Sequence, residues 1–131
     1  EKLGGFKVQG KTAEAAKAII EDAKKLEDAG CFSLVLECIP SEIANVITEK
    51  LKIPTIGIGA GPGCDGQVLV LNDMIGLFDR FTPKFVKRYA HVSLAIADAL
   101  KKYKDEVEKG VFPSAEHSFG IKEEELKKLR S

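Results

Sequence analysis

The apolar positions of this chain change period several times, and each change marks an element. Between Thr12 and Ala29 the residues Ala16, Ile19, Ile20, Ala23 and Leu26 recur every three or four places, with Glu14, Lys17, Glu21, Lys24, Lys25 and Asp28 mostly on the other side. That spacing predicts an amphipathic helix, capped by Thr12 and stopped by Gly30. A short, largely apolar run follows from Phe32 to Glu37, too short for a helix and read as a buried strand. Ser41 is then expected to cap a helix with Ile43, Ile47 and Leu51 at four-residue spacing, and Pro54 introduces a strand at Thr55 to Ile58 that runs into Gly59, Gly61, Gly63 and Gly66. A brief strand is expected earlier, at Phe6 to Gln9, and a further apolar run at Gln67 to Leu71, before Asn72 and Asp73 start a helical turn.

The longest helix is expected from Thr82 and Pro83 to about Lys109, because Phe85, Tyr89, Val92, Ile96, Ala99, Tyr103 and Val107 step by three or four. That stripe reads as core packing. Gly110 to Phe119 reads as a loop around Pro113, and Lys122 to Arg130 as a charged helix with few apolar anchors, suited to docking on a neighbour. Strands that are near-continuously apolar and alternate with helices imply an α/β fold, a parallel sheet covered by helices. Pattern alone leaves a barrel and an open sheet both standing; as a barrel, three or four such units would be only half of one.

Composition narrows the function. A chain of 131 residues suits one domain with a sizeable core. Twenty basic and twenty acidic residues cancel, without a basic block, so neither nucleic acid nor an anionic membrane is an expected partner. The apolar runs are too short to span a bilayer and the opening residues lack signal architecture, which points to a cytoplasmic protein. The start at Glu1, running at once into Gly4-Gly5, is what is expected of a fragment, a processed chain or part of a larger one. Cys31, Cys38 and Cys64 are odd in number and lack a C-x-x-C pair, so reduced thiols are expected in place of disulfides or zinc.

Candidate chemistry centres on Glu37. An ionised carboxylate among Leu34, Val35, Leu36 and Ile39 is costly to desolvate, and the C-terminal end of a strand is where α/β enzymes present catalytic groups. The competing reading turns Glu37 outward to pair with a lysine. Cys38 is a poor nucleophile candidate, since no local histidine lowers its pKa. The loop from Gly57 to Gly66 lets a backbone approach a ligand, but it lacks the Lys-Ser/Thr ending of a P-loop and the third glycine of a dinucleotide fingerprint. It is a tight turn, or it shares one mouth with Glu37 if the two strands are parallel neighbours. His91 reads as a surface residue and His117 as a structural one.

Taken together and in order, GGFKVQG at Gly4 to Gly10, LVLECIP at Leu34 to Pro40, the stretch from Ile53 to Val70, Asp73 and Gly76, Pro83 to Phe85, and GVFPSAEHSF at Gly110 to Phe119 resemble the C-terminal portion of the ketopantoate hydroxymethyltransferase family. The resemblance covers nearly all of residues 1–120; residues 121–131 look like a charged helical extension. It implies a (β/α)8 TIM barrel of the phosphoenolpyruvate/pyruvate type, of which this chain supplies roughly the C-terminal half. It further implies transfer of a one-carbon unit from 5,10-methylenetetrahydrofolate to the ketoacid 3-methyl-2-oxobutanoate, with Mg2+ as Lewis acid and Glu37 as proton acceptor. The family's metal ligands, substrate-binding serine and active-site lysine lie in earlier strands, so no metal ligand is expected here. A homo-oligomer completed by the missing half is the expected assembly. The alternatives are a non-catalytic half-barrel assembly fragment and another magnesium-dependent barrel that enolises ketoacids; the EHSF and DGQVLV segments argue against the latter.

Overall fold

A computed structural model describes residues 8–130, and the chain divides into two units, one up to Ala90 and one from His91 onward. The first unit begins with α1, Ala13–Asp28. Thr12, in extended conformation, accepts a hydrogen bond from Ala15 N through its hydroxyl, which satisfies one of the helix's free donors. The helix ends as expected at Gly30, whose φ of +93° lets its N–H reach Glu27 O at 2.9 Å while Cys31 N reaches Leu26 O at 3.1 Å.

Next come β1 (Leu34–Glu37), α2 (Ser41–Lys50) and β2 (Thr55–Ile58), followed by a two-residue β3, Gly66–Gln67. The three strands form a parallel sheet in the order β1-β2-β3, with Leu34 opposite Thr55 and Glu37 opposite Ile58. The fold is therefore mixed α/β with a small parallel sheet. Leu34 and Leu36 lie in one buried cluster with Ala23 of α1 and Ala44 and Ile47 of α2, so α1 and α2 cover one face. Burying these apolar surfaces is the main stabilising term.

Several expectations need correction. The first strand starts at Leu34; Phe32 is 88% exposed and outside it. Ser41 is the first residue of α2, while Pro40 takes the N-cap position without a side-chain hydrogen bond. The run after Gln67 does not extend the sheet, because Leu71 already begins α3, Leu71–Met74. The long helix, α4, starts at Val92 and runs to Glu108. Residues 82–90 stay non-helical, held by bonds from Tyr89 N to Met74 O (2.8 Å) and from Arg88 Nη2 to Phe78 O (2.7 Å). Of the expected strand at Phe6 to Gln9, residues 6 and 7 lie outside the described residues; Val8 and Gln9 are not in a strand, although Gln9 N donates to Cys38 O at 3.0 Å.

In the second unit α4 buries none of its residues. Ile96, Tyr103 and Val107 of the expected core stripe are exposed, so that stripe is not buried as a core. Phe112 packs edge-on against Tyr103 and tilted against His117, and Ser114 Oγ lies 2.9 Å from His117 Nδ1. His117 thus braces the turn that follows α4, the structural role expected of it, and the charged α5 spans Glu123–Arg130.

Candidate active site

Ligands of parallel α/β sheets sit outside the carboxyl ends of the strands. In the first unit a cavity of about 390 Å³ opens there, walled by Ile39, Ser41, Gly59, Gly61 and Phe85, with Cys38 and Lys84 also on its lining. A smaller cavity of about 230 Å³ lies between α1 and α2, lined by Ile20, Ile47 and Leu51, and is a helix-packing groove away from the strand ends.

Glu37 is the last residue of β1. Residues along a strand alternate between faces, and β1 alternates buried, exposed, buried, exposed. Leu34 and Leu36 therefore turn under the helices, whereas Val35 and Glu37 share the opposite face, where Val35 is 60% exposed. The expectation of a carboxylate enclosed by its aliphatic neighbours is thus corrected: sequence adjacency to Leu36 and Ile39 does not place Glu37 on their side. Nor does Glu37 pair with a lysine; it makes no ion pair among the described residues. Glu37 is not on the cavity's lining, whereas the next residue, Cys38, is.

Cys38 makes the turn from strand to helix. Its φ of +51° is left-handed, unusual for a residue with a Cβ, and its backbone is held on both sides, donating to Ile58 O and accepting from Gln9 N, each at 3.0 Å. Burial, and then the neighbouring Glu37 charge, push the Cys38 thiol above the ordinary range. It stays a neutral thiol at neutral pH, which removes it as a nucleophile.

The glycine loop has a packing role that spacing alone did not reveal. From Gly59 it descends beside α2: a Cβ on Gly61 would collide with Ser41 Cβ, and one on Gly63 with Asn45 Oδ1. Two residues of extended chain advance about 6.6 Å, and four residues of helix about 6 Å, so Gly61-x-Gly63 matches the Ser41-to-Asn45 spacing. At the foot of the descent Asp65 Oδ2 accepts from Thr55 N at 2.8 Å and from Thr55 Oγ1 at 3.1 Å, and Thr55 Oγ1 lies 2.8 Å from Thr48 Oγ1. Thr55 is fully buried, so these bonds satisfy groups that water cannot reach. Parallel strands usually need a dozen or more linking residues; here a glycine-rich chain lying on α2 links β2 to β3. Gly59 and Gly61 still reach the cavity, so the loop lines it, but Glu37 is exposed and not on the same lining.

Among the described residues no group of His, Cys, Asp or Glu is arranged to hold a metal ion, and no helix is long and apolar enough to cross a membrane. The three cysteines are free.

A parallel α/β sheet with a cavity outside its strand ends is an architecture that holds small molecules. The ketopantoate hydroxymethyltransferase family model matches residues 1–115, and the chain belongs to that family. It is similar to the 3-methyl-2-oxobutanoate hydroxymethyltransferase of Syntrophobacter fumaroxidans, at 65% identity over 127 residues, covering 97% of this chain and 45% of that protein. Its counterpart from Syntrophomonas wolfei is 60% identical over 127 residues, covering 97% and 46%, and that from Oleidesulfovibrio alaskensis 62% identical over 126 residues, covering 96% and 44%. The chain thus spans about half the length of the curated relatives it matches.

Proposed function

We propose that this chain is the C-terminal half of a (β/α)8 barrel, residues 1–120 with a helical extension at 121–131, and that the complete protein transfers a hydroxymethyl group to 3-methyl-2-oxobutanoate. The one-carbon donor is 5,10-methylenetetrahydrofolate, the product is ketopantoate for pantothenate synthesis, and the setting is a homo-oligomer in the cytoplasm. Family membership and the names of the relatives support the acceptor and the reaction class. The magnesium ion implied by the resemblance finds no ligand set among the described residues, so the step argued for this chain is proton transfer alone.

The observation that carries the reading is the position of Glu37. It ends β1 on the face opposite the one packed by α1 and α2. In a barrel the helices form the outer ring and the opposite face points inward, so the remaining strands would close around Glu37 at the catalytic end. The C3–H of a 2-oxoacid is a weak acid, and transfer requires its removal before the new C–C bond forms. Glu37 accepts that proton, and the C–H electron pair passes into the enolate, whose C3 bonds to the methylene carbon. That carbon's bonds to the folate nitrogens break, water supplies the hydroxyl, and tetrahydrofolate leaves with its two nitrogens protonated, one proton from water and one equivalent to that taken from C3. The test is exchange of the C3 proton with deuterium oxide, followed by NMR in the complete enzyme. Glu37→Gln is expected to slow exchange by about 10²- to 10⁴-fold; undiminished exchange removes Glu37 from this role.

A further inference from the structure

The cavity at the strand ends contains a feature that proton transfer does not use. Its walls are mostly apolar, from Val8, Ile39 and Phe85, with the Ser41 hydroxyl at the start of α2. Cys38 is kept neutral by burial and by Glu37, which leaves Lys84 as the one formal charge that the described residues place on the lining. Among the described residues Lys84 makes no ion pair, and its place at the rim is built. The next residue, Phe85, has its ring in contact with the backbone of Gly59, where φ is +67° and a Cβ would stand 2.8 Å from Phe85 Cδ1. The segment is further tied down by Val86 N to Pro83 O (3.0 Å) and Tyr89 N to Met74 O (2.8 Å).

A volume of about 390 Å³ is within the range of small-molecule pockets. An apolar chamber with one ammonium and one hydroxyl suits an organic anion, its carbon skeleton against Ile39 and Phe85 and its charge at the rim. Lysine offers a point charge and three rotatable donors, which fits a single carboxylate. We propose that Lys84 is a substrate-anchoring residue that receives a carboxylate of a ligand seated in this cavity. The inference rests on the reaction proposed above, in which both partners bring carboxylates: the 2-oxoacid, and the glutamyl tail of the folate donor. Glu37 lies outside this lining, so the role assigned to Lys84 is in binding and not in proton transfer.

The test compares the complete enzyme with its Lys84→Met and Lys84→Arg variants. Lys84 is solvent-exposed, so neither change is expected to alter folding. Losing one charge-assisted hydrogen bond predicts a KM about ten- to a hundredfold higher for one substrate in Lys84→Met, with kcat held within about twofold and KM largely restored in Lys84→Arg. A rise for the folate donor alone identifies its tail as the source of the carboxylate, and a rise for 3-methyl-2-oxobutanoate alone identifies the ketoacid. Unchanged KM for both overturns the proposal. Calorimetry with 3-methyl-2-oxobutanoate and with tetrahydrofolate as probes separates this outcome from failure of the reaction itself. Lys84-dependent binding without turnover in the wild type overturns the reaction but supports the anchor. Equal Kd values in wild type and Lys84→Met, with turnover intact, overturn the anchor alone.

Discussion

Glu37, Cys38 and Gly61 show how much depends on the direction a single residue faces. Glu37 and Cys38 are neighbours, yet the strand's alternation and the left-handed turn at Cys38 send one to the bare sheet face and the other to the cavity. Gly61 is constrained by what lies against it: its φ is +78°, and the nearest obstacles to a Cβ include the Cα of Ser41, backbone that cannot swing aside. Gly61→Ala is therefore expected to cost about 2 kcal/mol or more, combining left-handed strain with overpacking. Urea unfolding measures this, and a change below about 0.5 kcal/mol would show that the loop does not lie on α2 as described. At Gly63 the obstacle is a side-chain oxygen of Asn45, which can rotate, so the same substitution there should be better tolerated.

At the scale of elements, α1 is fastened to the link between α2 and β2 by Glu27. Its carboxylate pairs with Lys24 and also accepts from the backbone N–H groups of Lys52 and Ile53. The Lys24 bond first, and then the backbone donors, hold the Glu27 carboxyl below the ordinary carboxylate range. As pH falls, the unfolded chain takes up this proton before the folded one. The stabilisation is therefore complete above the ordinary carboxylate pKa and is lost as pH drops through the lower, folded value. Acid titration of the urea midpoint should show this loss in the wild type and a shallower limb in Glu27→Gln; superimposable limbs would deny Glu27 the role. The helices and strands of this unit were legible because their signals are local: the Thr12 cap, the Gly30 stop and the four-residue spacing of Ile43, Ile47 and Leu51. The start of α4 was not. Phe85 and Tyr89 continue its apolar period, but Phe85 is engaged with Gly59 and the Tyr89 N–H with Met74, contacts that periodicity does not encode.

On the scale of the whole molecule, two apolar surfaces stay exposed: the Val35 face of the sheet, and the stripe of α4 with Ile96 and Val107. Exposed apolar area of this kind drives association, and the end strands of an open sheet add unpaired backbone groups. The 131-residue chain alone is therefore expected to elute well above 14.2 kDa, to bind a hydrophobic dye and to catalyse no turnover. Co-expression with the remaining half of the longer relatives' sequence should suppress dye binding and yield a defined complex. A dye-silent monomer from the isolated chain would argue against the half-barrel reading.

By itself the sequence determined the α/β class, the order and most limits of the elements, and the family, because caps, stops and hydrophobic period act over a few residues and the family motifs are contiguous. Only the tertiary structure decided which face Glu37 occupies, that the glycines serve contact with α2, and that Lys84 stands on the same cavity as Ser41 and Gly59. These depend on contacts between residues far apart in the chain, and no local pattern records which distant backbone will lie against a given side chain.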